Sequence, residues 1–146
     1  MVKTHKRITV LILAMIFIMG CMTSAVFADR NDTSYKFTFN SKNAEMEHSA
    51  WREKDNKTKV YIKVNSVQST SDYVKGWIQG KKYKASTSYS NCSGGYEYKL
   101  NKKGEQWMTN YVKENGNGYA RIAAYAPEGS INVIQGVWSP DSGKQG

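Results

Sequence analysis

The stretch Lys59-Val60-Tyr61-Ile62-Lys63-Val64 decides the fold class. Val60, Ile62 and Val64 recur with period two, and Tyr61 and Lys63 alternate with them. That spacing puts three branched apolar side chains on one face of a pleated strand and their polar partners on the other. The same alternation returns elsewhere. Tyr35, Phe37 and Phe39 alternate with Lys36 and Thr38, and Tyr96, Tyr98 and Leu100 alternate with Glu97 and Lys99. Ala120, Ile122 and Ala124 mark the inner face of a strand over 119–125. Ile131 to Trp138 predicts the last strand, bent at Gly136, where a missing side chain weakens a regular ladder.

Turn residues punctuate these segments. Asp55-Asn56-Lys57, Asn101-Lys102-Lys103-Gly104, Asn115-Gly116-Asn117-Gly118 and Pro127-Glu128-Gly129 all read as turns. Residues 41–49 are polar and mixed, and a short strand is expected around Ala50-Trp51-Arg52. Trp107 to Lys113 reads as a strand, or as a short helix because Trp107 and Tyr111 stand four apart. The Asn-Gly pairs that follow favour a strand and a hairpin to Tyr119. Pro140 to Gly146 reads as a tail. About eight strands at roughly ten-residue spacing predict one all-β domain over 29–146, an antiparallel β-sandwich.

One hairpin is of special interest. Tyr73–Gln79 and Lys82–Ser88 flank Gly80-Lys81, and Gly at the first central position suits a two-residue type II′ turn. That register sets Ile78 opposite Tyr83 and Val74 opposite Thr87. The other face then carries Tyr73, Lys75, Trp77, Lys82 and Lys84. Rings stack on sugars or bases and ammonium groups meet phosphates, so these five residues are the candidate binding face. The plain alternative is that a second sheet covers them.

The N-terminus has a leader layout. Lys3, Lys6 and Arg7 precede an apolar run from Ile8 to Met19, and Val26-Phe27-Ala28 ends in a small residue. Residues 1–28 are expected to be a secretory signal peptide. The run is shorter than the roughly 20 residues of a comfortable membrane span. Ile18-Met19-Gly20-Cys21 loosely matches a lipobox, so the alternative to release is lipidation at Cys21 on the outer face of the membrane.

The formal charge is +9, and beyond residue 28 there are 18 basic against 12 acidic residues, a net of +6. Such a balance favours an anionic cell-wall polymer, a membrane surface or nucleic acid, and export argues against nucleic acid. Chemistry is hard to staff. Beyond the leader, His48 is the sole histidine and Cys92 the sole cysteine. A Cys92–His48 pair would make a thiolate nucleophile for a hydrolase, yet no spacing brings the two together. Cys92 reads instead as a loop thiol with no partner inside the chain. Glu45 and Glu47 share one side of any strand, without the facing geometry that glycosidases use. No CxxC, HExxH or Asp-rich calcium loop is present, so neither metal nor cofactor is expected. The reading is a secreted, non-enzymatic protein.

Four short stretches carry a resemblance: Ser49-Ala50-Trp51-Arg52, Lys59-Val60, Tyr119-Ala120-Arg121-Ile122-Ala123-Ala124, and Gly136-Val137-Trp138-Ser139-Pro140-Asp141. With the leader, they make the chain resemble a family of small exported proteins of Gram-positive bacteria, classed as a domain of unknown function. Some members are similar in setting to lactococcin-type bacteriocin systems. The resemblance implies a role at the cell envelope in competition or immunity, with a cationic toxin as the alternative to a binder. It carries over no catalytic residue.

Overall fold

A computed structural model of the chain describes residues 31–40, 45–70, 73–129 and 131–144. The expected leader, residues 1–28 with Cys21, lies outside the described residues. Ten strands form among them: β1 (Thr33–Phe39), β2 (Glu45–His48), β3 (Arg52–Glu53), β4 (Val60–Ser69), β5 (Lys75–Lys81), β6 (Ser90–Asn91), β7 (Tyr98–Lys99), β8 (Gly104–Met108), β9 (Tyr119–Ala126) and β10 (Asn132–Ser139). A four-stranded sheet has the order β1-β10-β4-β8. A six-stranded sheet has the order β2-β9-β5-β6, with β3 also on β9 and β7 also on β5. Every strand pairing is antiparallel. The expected all-β antiparallel sandwich is therefore the fold, with short edge strands added to the count.

The alternation read from the sequence builds the core. Phe37, Val60, Ile62, Ile78, Ile122, Ile134 and Trp138 are all fully buried. Each such side chain contributes about 1.5–3 kcal/mol by leaving water. The two inner faces differ. The four-stranded sheet supplies bulk, from Phe37, Phe39, Ile62 and Trp138. The six-stranded sheet sets small residues on either side of the Ile78–Ile122 pair, with Gly76 opposite Ala124 and Gly80 opposite Ala120. Leu100 fills the space over Gly76, where an added Cβ would lie 2.6 Å from its Cδ1. The bend expected at Gly136 is present as a register shift between Gln135 and Gly136. A Cβ there would fall 1.8 Å from the Lys63 carbonyl oxygen. The ladder closes only because that position has no side chain.

Several local expectations fail. The Tyr73–Gln79 and Lys82–Ser88 hairpin does not form. β5 runs straight through Gly80 and Lys81, and Ile78 faces Ile122 of β9, not Tyr83. Residues 82–89 are loop and bend. Gly80 is not among the positive-φ glycines that a type II′ turn needs. Trp107 and Met108 end β8, which pairs with β4 in the smaller sheet, whereas Tyr119 starts β9 in the larger one. Residues 109–118 therefore cross between sheets. They make one helix-like turn on the way, in which the Asn115 N–H donates to the Tyr111 carbonyl. The polar Met46 region, read as irregular, is edge strand β2.

The supposed tail is also built in. Pro140 and Asp141 are buried. The Lys54 ammonium meets Asp141 Oδ1 at 3.0 Å with neither side chain exposed. It also donates to the carbonyls of Thr58 and Pro140 at 2.7 and 2.6 Å. Asp141 accepts the Asp55 N–H at 2.9 Å. Burial pushes the Lys54 pKa down, and Asp141 pulls it back up. This clamp fixes the 54–58 turn against the end of β10.

Candidate functional site: the outer face of the larger sheet

The register of β5 and β9 sets which side chains share the outer face. Lys75 stands opposite Tyr125, Trp77 opposite Ala123, Gln79 opposite Arg121, and Lys81 opposite Tyr119. On the far side of β9, Met46 pairs with Tyr125 and His48 with Ala123. The alternating residues Ile78, Ile122 and Ala124 point the other way, into the core. Tyr73 and Met46 are each 48% exposed, whereas Gln79, Lys81 and Ala123 on the same face are buried.

Its densest part is a cluster around Arg121. The guanidinium carbon lies 4.4 Å from the Trp51 ring centroid and 4.5 Å from that of Tyr89. Arg121 Nε donates to Gln79 Oε1 at 2.8 Å. The Lys81 ammonium sits 4.8 Å from the same Trp51 ring. It also donates to the Lys84 and Ser86 carbonyls at 2.6 and 3.3 Å, pinning the loop that follows β5. Among the described residues no carboxylate pairs with Arg121 or Lys81. Burial lowers the Arg121 pKa, and contact with Tyr89 opposes that shift. His48 is held below its usual pKa by burial and then by Arg121.

The loop pinned by Lys81 walls a polar cleft of about 520 Å³, lined by Gly80, Thr87, Ser88, Tyr89, Ser90 and Asn117 among others. Tyr89 belongs to both the cleft and the Arg121 cluster. Cys92 is the loop thiol expected from the sequence; it lies behind Gly80 and is buried. An added Cβ at Gly80 would come 2.7 Å from its sulfur. The amides of Asn117 and Asn115 reach that sulfur at 3.5 and 3.7 Å.

The five expected site residues are thus split. Tyr73, Lys75 and Trp77 do lie on the outer face. Lys75 pairs with Glu97 at 2.6 Å and stands 5.7 Å from the rings of Tyr73 and Tyr125. Lys82 and Lys84 are exposed in the loop, not on a facing strand, and Lys82 lies 5.3 Å from the Tyr83 ring. Cys92 and His48 are not hydrogen-bonded to each other. His48 Nε2 has no hydrogen-bond partner, and the Cys92 sulfur meets Ser90, Asn115 and Asn117. Among the described residues no group of three metal-binding side chains converges. Trp51, Lys81, Tyr89 and Arg121 escaped the sequence reading. The signal for Arg121 was there, since placing Ala120 and Ile122 inward places Arg121 outward.

Three of the four short stretches quoted from the sequence are joined by hydrogen bonds, and the fourth, at Lys59, is bonded just past the end of the last. The Ser49 N–H donates to the Ile122 carbonyl, and the Ile122 N–H donates to Ser49 Oγ, each at 2.9 Å. Arg52 donates to the Trp138 carbonyl at 3.1 Å. Lys59 bonds with Ser142 and Lys144. They set the frame on which Trp51 and Arg121 meet.

Fold and site together define a two-sheet antiparallel β-protein with a cationic, aromatic outer face. The family described as a protein of unknown function (DUF2712) matches residues 22–142, and the chain belongs to it. No curated protein and no solved structure matches the chain.

Proposed function

We propose that the chain is a secreted, non-enzymatic protein that binds an anionic polymer of the cell envelope through the outer face of the larger sheet. The observation that carries this reading is the Arg121 guanidinium, held over Trp51 and Tyr89 without a carboxylate partner among the described residues. Guanidinium has five N–H donors in a rigid fork that matches phosphate and carboxylate oxygens. Flanking rings give sugar or polyol units a stacking surface. The net charge of +6 beyond residue 28 and the leader layout support an anionic partner outside the cell.

The test is co-sedimentation of the purified protein with cell walls, with anionic vesicles as a separate arm. Arg121→Gln should weaken wall binding by about tenfold, the worth of one charge-assisted hydrogen bond. Added salt should weaken wild-type binding, because surface charge is screened. Equal binding by Arg121→Gln and wild type would remove this face. Retention by vesicles but not by walls would move the reading to a membrane surface. Growth inhibition of related bacteria by the pure protein would favour the toxin reading.

A further inference from the structure

The opposite side of the sandwich carries a second aromatic arrangement with different chemistry. Tyr61 of β4 and Trp107 of β8 are directly opposed across the smaller sheet. Their ring centroids are 5.7 Å apart and their planes meet at 50°. The two rings thus form adjoining walls. The Lys144 ammonium lies 3.4 Å from the Trp107 centroid. Asp32, Tyr61, Trp107, Ser142 and Lys144 are among the residues that line a cleft of about 280 Å³.

The backbone of Lys144 is fixed. Its carbonyl accepts the Lys59 N–H at 2.8 Å, and its N–H donates to Ser142 Oγ at 3.2 Å. The side chain is exposed, so rotation about its own bonds is enough to vacate the ring. The surroundings favour a cation. Asp32 lines the cleft, and burial, then Glu105, then Asp32 raise the Tyr61 pKa. Glu105 is paired with Lys63 at 3.2 Å, and Asp141, which also lines the cleft, with Lys54 at 3.0 Å, which leaves Asp32 as the counter-charge.

We propose that this cleft is a binding site for a quaternary ammonium group, and that Lys144 occupies it in the absence of ligand. Electron-rich ring faces attract a cation, and the attraction grows as water is removed. A primary ammonium is strongly hydrated. A quaternary one has no N–H to hydrate and gives up less on reaching the rings, so it displaces Lys144. This site shares no residue with the Arg121 cluster and does not rest on the envelope reading.

Choline chloride is the probe, titrated into the full chain while the Trp107 indole N–H is followed by NMR. Sodium chloride at equal ionic strength is the control. The Trp107 signal should move with choline and not with sodium. Lys144→Gln removes the internal competitor and should bind choline about two- to fivefold more tightly, the range of one exposed cation–ring contact. Trp107→Leu should abolish the response at Tyr61. Phosphatidylcholine vesicles, run separately, tell a lipid headgroup from a free ammonium. No choline-specific movement at Trp107 in either wild type or Lys144→Gln would overturn the proposal. Equal affinity in those two proteins would overturn the role of Lys144. Lys144→Gln alters one exposed side chain, so the test does not depend on the fold surviving loss of Trp107.

Discussion

At the residue scale, five positions carry more than their neighbours. Lys54 and Asp141 form a buried pair whose members also satisfy backbone groups. Removing one partner of such a pair strands the other charge and costs about 3–5 kcal/mol. Lys54→Met should therefore lower the urea midpoint sharply, and a change below about 1 kcal/mol would show that Asp141 finds another partner. Gly136 touches backbone where a Cβ belongs, so Gly136→Ala should leave no cooperative unfolding transition. His48 couples the sheet to pH. Its folded pKa lies below its ordinary value of 6.5. The unfolded chain therefore takes up the proton first, and stability falls as pH drops through 6.5 toward the folded value. His48→Gln should flatten that slope, and identical pH profiles for the two proteins would refute the assignment. Cys92 is enclosed, so a thiol reagent should label it only after unfolding.

At the element scale, long-range alternation was legible and so were the turns at 55–57, 101–104 and 127–129, but the turn read at Gly80-Lys81 does not exist. Tyr35, Phe37 and Phe39 announced β1, and Ala120, Ile122 and Ala124 announced β9, because one buried face leaves a period of two in the sequence. Gly80-Lys81 misled because glycine serves two purposes. Here it makes room for Cys92 and Asn117, and the chain stays extended through it. β2 was invisible because an edge strand is allowed to be polar, and Glu45, Glu47 and His48 hide its period. The Lys54–Asp141 clamp could not be read either, since nothing in two distant polar residues says that they meet in the core. The same loss affected the site. Lys82 and Lys84 were placed on a strand that does not exist, while Lys81 pins the loop that does. Lys81→Met should raise amide exchange across 83–90 and cost about 1.5–3 kcal/mol, the worth of hydrogen bonds to a charged group. Unchanged exchange there would mean that the loop holds itself.

At the scale of the whole molecule, the sandwich separates two kinds of surface. The larger sheet turns Trp77 and Arg121 outward, with Trp51 and Tyr89 packed on Arg121 from the adjoining loops. The smaller sheet turns Tyr61 and Trp107 outward over a bulky inner face. The loops and the clamp hold these faces in fixed relation to one core. The central claim is that the Arg121 face meets an anionic envelope polymer. The most direct measurement is an NMR titration of the protein with purified soluble wall polymer, reading the Trp51 indole and Arg121 Nε signals. The account predicts that both move together, early in the titration, and that added salt reverses the shift. Movement confined to other residues, or none at all, would contradict it.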